Sequence, residues 1–351
     1  MGVAERVVAA RKMASLNQRK LASKVGLSAM AISKYEKGAV VPNSTVLLNI
    51  ARATGVKPDF FFRPVSVEVS VPSFRRRASL GKKTQHALLA RVRDWLERYL
   101  EIESLVGATA EFVRPKLGHS SKTLSVTEKF AETLREEWDL GLDPITNMVE
   151  LLEERGVKIE LLDAPEGFDA LTLWASGHTP VIAANGNLPG DRQRFSLAHE
   201  LGHIVLGPST GRLDEAVAHR FAGAFLVPGP AVKVELGKRR TWLELPELHL
   251  LKHKYGVSMQ AWIGRALDVG VISEGVYTQM MRWLSSNRWR KTEPGDAVPS
   301  EKPTRLLRLV VRAVAEGIVT ESRAAELLGA PLERVWRELS REHALPESRR
   351  R

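Results

Sequence analysis

The segment Phe195-Ser196-Leu197-Ala198-His199-Glu200-Leu201-Gly202-His203 carries the strongest chemical signal in the chain. Helical residues four apart stack on one face, so His199 and His203 can offer two imidazole nitrogens to one ion. Glu200 lies about 100° round the helix from His199, where a carboxylate can act as general base beside a metal instead of ligating it. Asp191 is expected to cap this helix and Gly207-Pro208 to end it, which puts the motif in mid-helix.

A catalytic zinc takes three protein ligands and keeps one position open. The 351 residues include no cysteine. Disulfides, thiolate fingers, iron–sulfur clusters and cysteine nucleophiles are therefore excluded, and a metal must sit on His, Asp or Glu. Downstream, residues 214–228 (DEAVAHRFAGAFLVP) read as a helix with acids in its first turn. Its small residues Ala218, Ala222 and Gly223 permit close packing on the histidine-bearing helix. Glu215 is the first choice as third ligand, with Asp214 and His219 as competitors; His219 lies one turn beyond Glu215 on the same face. Between Val157 and Leu162 the pattern alternates as in a strand, and the runs 170–175 and 179–184 around Ser176-Gly177-His178 read as a hairpin. Such a hairpin could offer an edge to which an extended substrate adds as a strand.

Residues 17–38 (NQRKLASKVGLSAMAISKYEKG) have the spacing of a helix-turn-helix. Asn17 and Ser28 are placed to cap two helices; Leu21, Ala22, Val25, Ile32 and Tyr35 face inward; Gly26 permits the turn. Gln18, Ala29, Met30, Ser33, Lys34 and Lys37 are left outside, where a recognition helix meets a DNA groove. Lys34 and Lys37 can reach phosphate, whereas Ala29 and Met30 can make only apolar contacts such as one with a thymine methyl. Residues 1–64 hold 11 Lys and Arg against three acids, contributing +8 of the chain's +11. So concentrated a charge is the footprint expected of a nucleic-acid binder, though solubility alone could also explain it, and the helix-turn-helix spacing makes double-stranded DNA the expected partner. The pattern over residues 4–62, including Tyr35-Glu36-Lys37-Gly38 and Pro42, resembles the lambda-repressor-like, Xre-type domain. That resemblance allows a homodimer reading paired half-sites.

From about residue 125 to 285 the chain resembles the ImmA/IrrE family of zinc metallopeptidases. The family's HExxH segment falls on His199, Glu200 and His203. Its downstream Glu, Asn, Phe-Ala and apolar pair before Pro fall on Glu215, His219, Phe221-Ala222 and Leu226-Val227-Pro228. His219 stands where the family usually has Asn, which leaves open whether it ligates, donates to an oxyanion, or packs beside the site. The resemblance implies a Zn-dependent endopeptidase with Glu200 as base and His199, His203 and Glu215 as ligands. It further implies a protein substrate, an Xre-type repressor or antitoxin-like partner whose cleavage switches gene expression. The other reading is a transcription regulator whose peptidase-like domain only senses a ligand or positions a partner.

Together these features give a multidomain chain: an all-α helix-turn-helix domain (1–64), a basic linker with a connector helix (65–124), an α+β zincin-like metallopeptidase domain (125–290) and a C-terminal helical element (305–345). The RRR of residues 75–77 reads as part of a solvated linker, and residues 291–304 (KTEPGDAVPSEKPT) as a polar, Pro-containing one. Ala325 and Gly329 repeat the spacing of Ala22 and Gly26. Glu326, Glu333 and Glu338 suit phosphate poorly, so that region is expected to be a packing or dimerisation element. No run is long and apolar enough to span a membrane, and no signal-like N-terminus is present, so a cytoplasmic location is expected.

Overall fold

A computed structural model describes residues 2–63, 67–70, 81–115, 123–207, 212–331, 333 and 336, with the side chains of residues 125 and 212–214 left aside. Two compact units emerge: residues 1–110 with 175–177 and 304–351, and residues 111–174 with 178–303.

The first unit begins with α1 (Gly2–Met13), α2 (Gln18–Val25), α3 (Ala29–Glu36) and α4 (Ser44–Thr54), followed by a 3-10 turn at Pro58–Phe61. Capping explains where these helices start. The Asn17 side chain accepts from Lys20 N at 2.7 Å, Ser28 from Ala31 N at 3.1 Å and Asn43 from Val46 N at 2.9 Å, satisfying donors that a first helical turn leaves unpaired. Gly26, at φ 69°, ends α2 in the left-handed conformation that an L side chain resists. Val7, Leu21, Ala22, Ile32, Ile50 and Phe61 form the buried centre. After the short β1 (Val69–Ser70), the connector helix α5 (Lys82–Val106) packs against α1. There Arg6 meets Glu97 at 2.6 Å with both side chains buried, and Arg63 meets Asp94 at 2.8 Å. The arginines of residues 75–77 lie outside the described residues.

The second unit contains α6 (Leu124–Glu137), α7 (Met148–Glu154), β2 (Lys158–Leu162), β3 (Ala170–Ala175), β4 (Thr179–Asn185), α8 (Gly190–Leu206) and α9 (Arg212–Leu226). Four shorter helices complete it: α10 (Gly229–Leu236), α11 (Leu245–Tyr255), α12 (Met259–Asp268) and α13 (Glu274–Ser286). β4 lies between β3 and β2. It runs parallel to β2 in the register Lys158↔Val181 to Leu162↔Asn185. β3 and β4 form the expected hairpin, its turn placing Ser176 at φ 49° and Gly177 at φ 79°, the paired left-handed residues that match strand twist. The unit's core joins the sheet to α6, α8, α9 and α12 through Leu201, Phe221, Phe225 and Trp262.

Asp191 is not the cap of α8. The cap position is Pro189, which has no side chain able to accept, and Asp191 lies within the first turn with Lys252 Nζ 3.7 Å away. A carboxylate there is still favoured by the helix dipole, so a first-turn acid and a cap look alike in sequence.

Residues 291–303 hold no helix or strand, yet they do not run free as the linker reading expected. Glu293 accepts from Met259 N and Gln260 N at 3.0 Å each, at the start of α12, and lies 3.2 Å from the buried Lys252 Nζ. Gly190 N donates to Val298 O at 3.0 Å. Glu301 pairs with the buried Arg194, accepts from Val149 N at 2.9 Å, and exchanges backbone hydrogen bonds with the Gln193 amide at 2.8 and 3.0 Å. The segment is a strap fastened along the start of α8. Composition alone suggested a linker because the charges that solvate a loop are also those that satisfy buried cations and helix starts.

The chain returns to the first unit with α14 (Arg305–Ala315) and α15 (Glu321–Leu328), which bury Val310, Ala313, Ala324 and Leu327 against Ile102 of α5. Arg98 of α5 donates to Leu327 O at 2.7 Å. The rest of the expected C-terminal element, residues 332–345, lies outside the described residues except for 333 and 336, and Glu338 falls there too.

A methyl group on Gly190 would sit 2.0 Å from Pro299 O, whereas one on Gly264, also helical, would meet nothing within 4 Å. Gly190→Ala is therefore expected to lower stability by about 1–3 kcal/mol. Gly264→Ala is expected to be neutral or to stabilise by up to about 1 kcal/mol. Urea unfolding midpoints of the two variants check the contrast; equal midpoints would show that the strap is not a packed element.

Candidate functional site

His199 and His203 share one face of α8, with their Nε2 atoms 3.1 Å apart. Glu215, in the first half of α9, brings Oε2 to 3.3 Å from His199 Nε2 and Oε1 to 3.7 Å from His203 Nε2. The approach depends on a glycine. A methyl at Gly202 would lie 3.1 Å from Phe221 Cδ1 and 3.4 Å from Ala218 Cα, so any larger residue there would hold α9 away from α8. One ligand atom from each of the three side chains lies within 4.8 Å of the other two. Two imidazoles and a carboxylate converging in this way fit the donor set of a catalytic zinc. The site is reachable, since the Glu215 side chain is 44% exposed and those of His199 and His203 are 18% and 16% exposed.

Glu200 is placed differently. It is only 3% exposed, and Thr172 Oγ1 of β3 donates to its Oε2 at 2.8 Å. Thr172 was not anticipated from sequence. The available signal was its position as a lone hydroxyl among the apolar residues of β3, on the face shared with Ala170 and Trp174. Two residues further on, Trp174 has the Arg114 guanidinium 5.6 Å from its ring centroid, and Arg114 donates to Ile204 O at 3.3 Å, one turn beyond Glu200. His219 packs against Phe195 with ring centroids 4.8 Å apart and the rings tilted by 54°. His219 does not belong to the converging group of three. Its outer surface is exposed, but desolvation of the ring and then the neighbouring His199 imidazole lower its pKa below the usual histidine range. The side chain of Asp214 lies outside the described residues.

Residues 152–266 match the family model of a peptidase family described as the IrrE N-terminal-like domain, and residues 7–61 match a helix-turn-helix model. The chain joins a helix-turn-helix to an IrrE N-terminal-like domain. No curated protein matches the chain. The helix-turn-helix implies DNA binding and the IrrE N-terminal-like domain implies a peptidase-like function. His199, Glu200, His203, Glu215 and Thr172 all lie inside the IrrE-like span.

In the helix-turn-helix, Met30 of α3 is 70% exposed, Lys34 and Lys37 are exposed, and Ala29 and Ser33 are half-buried. Gln18 is tied inward: its amide donates to Glu36 Oε2 at 2.7 Å, and Arg11 Nη2 donates to the same oxygen at 2.9 Å. Those bonds link α1, α2 and the end of α3 through one carboxylate. Among the described residues of the whole chain, no helix is long and apolar enough to cross a membrane.

Thr172→Val keeps the shape of the side chain but withdraws the hydroxyl from a buried carboxylate. The metal-free protein is expected to lose about 1–3 kcal/mol of stability, with Thr172→Ser recovering most of it. Urea unfolding measures this, and a valine variant as stable as wild type would mean that the bond does not hold Glu200.

Proposed function

We propose that the chain is a DNA-binding regulator whose IrrE-like domain is a zinc-dependent endopeptidase, with an Xre-type repressor or antitoxin-like protein as substrate. The supporting observation is the convergence of His199, His203 and Glu215 beside the buried carboxylate of Glu200. The three side chains would hold the zinc, which when bound supplies Lewis-acid polarisation of a peptide carbonyl and of water. Glu200 takes the proton from the attacking water and delivers it to the leaving amine. Thr172, by fixing one oxygen of that carboxylate, limits its rotation and keeps it turned to the same face through both transfers. His219, packed against Phe195, is suited to donate toward the developing oxyanion or to support the ligands.

Lys34 and Lys37 contact phosphates, while Met30, Ala29 and Ser33 present the short groove-facing surface of α3. Gln18 acts at the same surface through the Glu36 carboxylate that it helps to fix. A homodimer would read two half-sites about one helical turn apart. Both activities belong in the cytoplasm, where operator and repressor are found.

Protein purified without chelator is expected to carry one zinc per chain, and His199→Ala to carry almost none. Glu200→Gln should keep its zinc and bind the repressor but cleave it slower by roughly two orders of magnitude or more. Elemental analysis and a gel of the repressor read these outcomes. Normal gene induction with uncut repressor in a Glu200→Gln strain would defeat the peptidase reading.

Lys34→Ala/Lys37→Ala is expected to weaken duplex binding similarly across sequences and to flatten its dependence on salt by about two phosphate contacts. Titrations over a salt series measure the slope; an unaltered slope would move the DNA contact away from α3.

A further inference from the structure

Two segments of the second unit that the proposed chemistry does not use, 237–243 (GKRRTWL) and 281–292 (MRWLSSNRWRKT), contain seven Lys and Arg and no acid. Their tryptophans bring them together. Trp242 meets Trp283 with ring centroids 5.8 Å apart at 71°, and Trp283 meets Trp289 at 5.0 Å and 86°. All three rings are half-buried, with their inner parts on the core. The seven cations lie within four residues of these tryptophans in sequence. Arg240 is answered by Glu247 at 2.8 Å and Lys291 by Glu166 at 3.4 Å. Lys238, Arg239, Arg282 and Arg288 are exposed and form no ion pair with another described residue. Folding alone does not require unanswered cations so near these tryptophans in sequence.

We propose that this tryptophan–arginine face is a docking surface for an acidic segment of a partner protein. Trp and Arg are the residues that dominate the buried centres of protein interfaces, because each combines a large apolar area with a fixed polar edge. The excess positive charge selects a segment rich in Asp and Glu and speeds the encounter. A duplex backbone would be met by charge alone and has no use for three clustered tryptophans. Single-stranded bases need an open ring face on which to stack, whereas these rings close edge to face on one another and on the core. An acidic side chain between apolar neighbours fits what remains, namely ring rims with guanidinium groups alongside.

The test uses the full-length protein and a fluorescein-labelled 16-residue peptide in which Asp and Glu alternate with Leu, followed by fluorescence polarisation. A thymidine oligonucleotide of equal charge is measured in parallel. Arg282→Glu/Arg288→Glu and Lys238→Glu/Arg239→Glu change only exposed side chains, and circular dichroism with melting curves verifies that both variants are folded. The expected result is salt-sensitive peptide binding that each double reversal weakens by about tenfold or more, with a smaller effect on the oligonucleotide. Peptide binding unchanged by both reversals would overturn the proposal. So would an equal or larger loss of oligonucleotide binding, which would make the face a nucleic-acid surface. Because the readout is binding and not cleavage, it stands apart from whether Glu200 does chemistry.

Discussion

The distance between α8 and α9 at Gly202 controls the geometry of the candidate site. Imidazoles at i and i+4 are common on helices, but they become two-thirds of a ligand set only if a carboxylate arrives from elsewhere at the right height. Here it arrives because Gly202 has no Cβ and faces Ala218 and Phe221, letting the α9 backbone come close enough for Glu215 to reach both rings. The same approach sets His219 against Phe195, one turn before His199 on α8. The sheet acts from another direction: the β3–β4 hairpin carries Thr172 to Glu200, so the proposed base is held by a strand while the proposed ligands are held by helices. Two independent elements thus fix two different roles.

The features legible from sequence share a short range. The helix carrying His199 and His203, the hairpin, and the capped helices starting after Asn17 and Ser28 all follow from periodicity, turn residues and side chains bonding to backbone three residues away. Less legible were features that require partners far along the chain. Glu301 gives no hint that it will meet Arg194, more than 100 residues earlier, and Thr172 gives none that it faces Glu200. Asp191 shows the opposite problem: a local rule fits it well, yet its charge is used against Lys252 instead of a cap. The grouping of α14 and α15 with α5 was also beyond reach, since amphipathic periodicity shows that a face is covered and not by what.

The connector helix α5 has more to do than its place between two domains suggests. One stretch of it receives Arg6 and Arg63 from the helix-turn-helix side, and another receives α14 and α15. Arg98 meets Asp94 at 3.3 Å, the carboxylate that Arg63 also uses, and donates as well to the end of α15. Buried ion pairs add little net stability compared with apolar packing, but they penalise every arrangement that separates the partners. Such pairs along α5 therefore specify one pose of the DNA-reading helices relative to the C-terminal pair within this unit.

The strap also bears on where the peptidase-like half can be cut from the chain. The family match stops at residue 266, and the sequence alone sets the domain boundary at about 290. Either cut would discard Glu293 and Glu301 while retaining Lys252 and Arg194, whose side chains are only 4% and 5% exposed. Arg194, in the turns of α8 that lead to His199, would then lose its carboxylate, and the buried Lys252 would keep only Asp191, 3.7 Å away. A fragment ended at residue 266 would lose Val271, Ile272, Met280 and Leu284 of the core as well as both carboxylates, one ended at 290 would lose the carboxylates alone, and one carried through Pro303 would retain both.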